Sequence, residues 1–107
     1  MYEEMAGDFV EAGQQAGLTA LGLQTRKHLM SITAEARHDV IMGLSIRLGE
    51  MSTAARRRDR KDLQTMLAEL SDSFRLSAAE IAAASYGPAL IERMAASVGR
   101  IEQSLAA

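Results

Sequence analysis

The residues able to do chemistry are few, and the best placed are Glu35 and His38 in the stretch "EARH". A Glu-x-x-His on a helix is the half-site that ferritin-like di-metal bundles use twice, together with two further carboxylates projecting inward. The chain carries the motif once, because the other histidine, His28, has Thr25 three positions before it. A homodimer would supply the second copy. Glu35 and His38 nevertheless sit beside Arg37 and Asp39, largely off the apolar stripes. His28, in "RKH", reads as a surface histidine in a cationic turn. The absence of cysteine removes disulfides, thiolate catalysis and cysteine-held metals. No serine or threonine stands in a nucleophile-elbow context, and no glycine-rich phosphate loop follows a strand. The sequence therefore points to no catalytic residue, no bound metal and no cofactor.

The densest charge is "RRRDRKD", Arg56 to Asp62. Guanidinium groups grip phosphates, but a helical nucleic-acid binder spreads them along one face of a positively charged domain. Here Asp59 and Asp62 interrupt the run and the whole chain has a formal charge of -2. The run reads as a solvated connector, with its cations near the C-terminal end of the preceding helix where the dipole favours them. Nucleic acid is not expected as a partner. Of seven methionines, Met30, Met51, Met66 and Met94 fall on or near apolar stripes, where gap-filling in a core is the usual role.

The elements that must position these residues are helices. Apolar residues make up 48% of the 107, yet there are only two Phe, two Tyr and no Trp, so Ala, Leu, Ile and Met carry the hydrophobicity. A single proline allows long helices and few turns. The first helix is expected over 8–22, with Asp8 and Glu11 as a capping box, and is weakened by Gly13, Gly17 and Gly22. A long helix follows over 24–55. Leu29, Ile32, Ala36 and Val40 form one stripe, and Ile41, Leu44, Leu48, Met51 and Ala55 form a heptad-like seam. Gly43 and Gly49 lie off that seam.

A third helix, 59–85, has Asp59 as its N-cap and Asp62 in its first turn. Its seam is Leu63, Leu67, Leu70, Phe74, Ser77, Ile81 and Ala84. "SYGP" then punctuates the chain: Gly87 is free to take unusual dihedrals and Pro88 is preset for a first helical position. The last helix, 88–105, carries Ile91, Met94, Val98, Ile101 and Leu105. Short connections between such helices predict one all-α domain over 1–107. It is an amphipathic antiparallel bundle or hairpin of three to four helices with coiled-coil-like seams.

The segment "RRRDRKDLQTMLAELSDSFRLSAAEIAAAS", Arg56 to Ser85, resembles the body of the phasins, small helical proteins that coat polyhydroxyalkanoate storage granules. Asp62, Leu63 and Gln64 after a charged connector, then Phe74, then "SAAEIA" from Ser77, carry the likeness, and the preceding long helix extends it over about 24–85. The resemblance implies no catalysis. It implies apolar helix faces laid on a polyester surface, with charged faces turned to water and apolar burial of about 25 cal/mol per Å² driving adsorption. The residues expected to make that contact are Ile41, Leu44, Leu48, Met51, Leu63, Leu67, Leu70, Phe74 and Ile81.

The same seams would pair helices in a homo-oligomer when no granule is present. A second reading is accordingly a helical protein–protein adaptor or regulator that buries one seam against partner helices. The third is the dimeric ferritin-like protein built on Glu35 and His38. The start, "MYEEMAGDFVEAG", is acidic and unlike a secretory leader, and no apolar run reaches the 18–20 residues a membrane span needs. The expectation is a cytoplasmic protein, granule-associated in the phasin-like reading, with no transmembrane segment.

Overall fold

The computed structural model describes residues 25–106, which form four helices: α1 (Arg26–Ser31), α2 (Ala34–Arg57), α3 (Lys61–Ala83) and α4 (Gly87–Ala106). The all-α expectation holds. The helix expected over 8–22 lies outside the described residues. α2 and α3 pair as a long hairpin, and their direction follows from two contacts. Ser45 of α2 meets Ser71 of α3, and Ser52, seven residues on, meets Gln64, seven residues back. α4 returns across the hairpin parallel to α2, with Glu92 beside Arg26, Glu102 beside Arg47 and Leu105 beside Arg58.

The expected single helix over 24–55 is two helices. Ile32 and Thr33 are extended, with ψ of 166° and 162°, and Thr33 caps the new start by accepting from the Ala36 N–H at 3.0 Å. Thr25 caps α1 in the same way, accepting from the His28 N–H. The carbonyls freed at the break are taken by Arg37, whose Nη1 donates to Leu29 O at 3.1 Å and Ile32 O at 2.8 Å. Its Nε donates to Ala82 O at 3.1 Å, so one guanidinium closes the ends of both α1 and α3. A guanidinium presents several donors in a fixed fork, which lets one side chain answer carbonyls from two helices.

Asp59 does not cap α3. It is the one described non-glycine residue with positive φ, at 59°, and it terminates α2. The Arg60 N–H reaches Ala55 O at 2.9 Å and the Asp59 N–H reaches Arg56 O at 3.0 Å. These are the paired bonds of a Schellman ending, and Asp tolerates the left-handed position better than most residues. α3 begins at Lys61 with Arg60 at its cap and no side-chain cap bond.

The second turn depends on Gly87. The requirement there is space rather than unusual dihedrals: a Cβ at this position would stand 2.2 Å from Ile81 O. Proline at the next position also disfavours helical backbone in any residue bearing a Cβ. α4 accordingly opens on Gly87 itself, one residue before the expected start.

The core is a single cluster, with Leu29, Ile41, Leu48, Leu67, Ile91 and Val98 fully buried. Met51 and Met94 belong to it, whereas Met30 and Met66 are exposed, contrary to the expectation that all four fill gaps. Met30 falls about 100° around α1 from the fully buried Leu29, and Met66 falls about 100° around α3 from Leu67, each on its helix's flank. Gly87→Ala is expected to destabilise the fold by about 1–3 kcal/mol, the usual cost of forcing atoms into filled space. A lowered thermal midpoint with unchanged helicity at low temperature is the measurement that checks it.

Candidate functional site

The nine seam residues proposed for surface contact come together in one place. Ile41, Leu44, Leu48, Met51, Leu67, Phe74 and Ile81 are buried, and Leu63 and Leu70 are partly buried against them. Their phase on each helix explains the arrangement. At about 100° per residue, Ser45, Gly49 and Ser52 lie on the side of α2 that meets α3, while Leu44, Leu48 and Met51 lie around the helix toward α4. On α3, Ser71 and Gln64 meet α2, and Leu63, Leu70, Phe74 and Ile81 lie about 60–100° around the helix from Ser71.

Small residues thus mark the line of closest approach between α2 and α3, with the larger apolar residues in a groove to one side of it. Ser45 Oγ donates to Ser71 O at 2.8 Å, Ser71 Oγ donates to Ser45 O at 2.7 Å, and Ser52 Oγ donates to Gln64 O at 2.8 Å. Gly49, which lies off the seam, stands in this line, where an added Cβ would be 3.8 Å from Ser71 Oγ.

α4 fills the groove with Ile91, Met94, Ala95 and Val98, and with Ile101 and Leu105 packed at the edge. It is pinned along its length by polar contacts. The Arg47 guanidinium forms a two-pronged ion pair with Glu102, one prong running from Nε to Oε2 at 3.1 Å. Glu92 accepts from the Arg26 N–H at 2.7 Å and faces the Arg26 guanidinium at 3.5 Å. Arg58 Nη1 donates to Leu105 O at 2.9 Å, closing the C-terminal end of α4.

The pinning residues escaped the seam-based reading because they flank the stripes: Arg47 lies three residues after Leu44, and Glu102 follows Ile101. Charged residues beside a seam are a recognisable pairing signal, but which cation meets which anion is set only when the helices pack.

Glu35 is exposed and His38 faces Asp39, with Nδ1 3.8 Å from Oδ1. Among the described residues no group of three or more His, Asp or Glu is gathered to hold a metal ion. His28 is exposed, as a surface histidine should be. The run Arg56 to Asp62 is exposed throughout at the hairpin tip. No described helix is long and apolar enough to cross a membrane. No family model, no curated protein and no solved structure matches the chain.

Asp62, in the first turn of α3, is held below its ordinary value of 3.8, first by the Leu63 backbone N–H and then by the Arg60 guanidinium. A depressed carboxyl stabilises the fold above its unfolded value, and that contribution fades as pH falls through the folded value. Asp62→Asn is therefore expected to melt below wild type at pH 7, with the gap closing as the pH is taken below 3.8. Arg47→Ala should cost about 1 kcal/mol, typical of a partly exposed two-pronged pair. The loss should be matched in Glu102→Ala and not doubled in the double variant, which a thermal-denaturation cycle reads directly.

Proposed function

We propose that the chain is a non-enzymatic, phasin-like coat protein whose hairpin groove contacts a polyhydroxyalkanoate granule surface when α4 lifts away. The observation that carries this reading is the division of labour in the hairpin. α2 and α3 are joined to each other by hydrogen bonds of Ser45, Ser71 and Ser52 that do not involve α4. Displacing α4 therefore leaves the paired helices intact and opens a broad apolar face made of the nine seam residues. The exchange is nearly balanced, because apolar area taken from α4 is returned at the polyester at the same roughly 25 cal/mol per Å². An extended surface can also bury the α4 stripe, which tips the balance toward adsorption.

Tethering α4 tests this. In the cysteine-free chain, Arg47→Cys with Glu102→Cys gives a unique pair that a short, reductively cleavable bismaleimide can bridge. The tethered protein should fail to bind polyhydroxyalkanoate particles in a sedimentation assay, and cleavage of the linker should restore binding. Equal binding in both states removes the lifting step, and no binding in either removes the coat reading.

The second reading, a helical adaptor or homo-oligomer, is favoured by a different observation. Ile46 and Leu76 are 61% and 76% exposed on the outer sides of α2 and α3, outside the groove. If that reading is the correct one, Ile46→Lys with Leu76→Lys abolishes self-association in analytical ultracentrifugation and leaves particle binding absent.

A further inference from the structure

Beyond the groove, the hairpin tip holds a cavity of about 190 Å³ between the α2–α3 turn and the end of α4. Met51, Ala54, Ala55, Leu63, Leu105 and Ala106 give it an almost wholly carbon lining, which Arg58 and Arg60 complete. We propose that this cavity binds the alkyl chain of a medium-length fatty acid, with the carboxylate held at the Arg60 guanidinium. The site needs α4 in place and does not rest on the coat reading.

The apolar end follows from size and lining. A dry cavity of about 150 Å³ lined by aliphatic side chains takes a benzene-sized hydrocarbon. The tip cavity is somewhat larger and opens to one side, which suits a short alkyl chain entering end-on.

The charged end follows from the surrounding groups. The run Arg56 to Asp62 carries five cations against two anions, a local +3 in a chain whose total is -2. Arg58 is engaged, since it neutralises the carbonyl of Leu105 at the negative end of α4. The Arg60 side chain is less committed: its one polar contact among the described residues is a long 3.5 Å approach of Nε to the exposed carboxylate of Asp62. Its terminal nitrogens are left to make the parallel pair of bonds that a guanidinium makes with a carboxylate. The first turn of α3, which Arg60 precedes without a side-chain cap, adds the positive end of a helix dipole beside the same point.

The test is titration of the full chain with sodium octanoate, followed through the Met51 methyl and Leu105 methyl NMR signals. Saturable shifts at both, with a rising thermal midpoint, are expected. Arg60→Gln removes a charge-assisted pair and should weaken octanoate by at least about tenfold. Octan-1-ol should bind the wild type about as weakly as octanoate binds that variant, and should not respond to Arg60→Gln. Ala54 is exposed at the cavity mouth, so Ala54→Trp blocks entry without disturbing the core and should abolish the shifts. Octanol binding as tightly as octanoate, sodium acetate producing the same shifts, or undiminished binding in Ala54→Trp would each overturn the proposal. So would an absence of saturable binding to the wild type.

Discussion

The close approach of α2 and α3 is the constraint on which the rest of the structure depends. Two helices come near enough for hydroxyls to reach across to backbone carbonyls only where small residues face each other. Ser45, Gly49 and Ser52 on one side and Ser71 on the other provide that line. A hydroxyl bonded to a carbonyl already engaged in its own helix satisfies a buried polar group at little cost. It also fixes register, because sliding one helix past the other by a residue would break both reciprocal bonds. With small residues at the line of closest approach, the larger apolar side chains lie to one side of it.

That displacement explains α4. Its stripe of Ile91, Met94 and Val98 lies in the groove because only there can both apolar surfaces leave water together. Arginines then complete the helix ends. Arg37 takes the terminal carbonyls of α1 and α3, and Arg58 takes that of α4. Each places a cation at the negative end of a helix dipole while supplying donors that the last turn lacks. The bundle is thus sealed by side chains that look, along the chain, like surface charge.

The functional reading turns on the same geometry. A seam buried under one helix is available to anything able to replace that helix. In the proposed function, the serine-linked hairpin is the part of the fold that survives the replacement. The ion pairs of Arg47 with Glu102 and Arg26 with Glu92 are partly exposed and individually weak, so they orient α4 without welding it in place. At the tip, the same helix end closes a small apolar cavity lined in part by Arg58 and Arg60.

The helical class, the seams and the turn before the last helix were legible along the chain, because periodicity near 3.6 and the punctuation at Gly87 and Pro88 are local properties. All nine seam residues were identified from that periodicity, and the structure gathers them into one groove. The break at Ile32 and Thr33 was hidden because a threonine cap and a helix-interior threonine look alike until the chain turns. Asp59 was misassigned for a related reason: Asp serves both as an N-cap and in a left-handed turn, and the bond from Arg60 to Ala55 decides between them.

What the sequence by itself determined is therefore which residues are apolar on which face, since spacing along a helix fixes direction around its axis. What only the tertiary structure decided is what those faces meet. The choice among α4, a partner helix or a foreign surface depends on contacts between residues distant in the chain, and no local pattern encodes them.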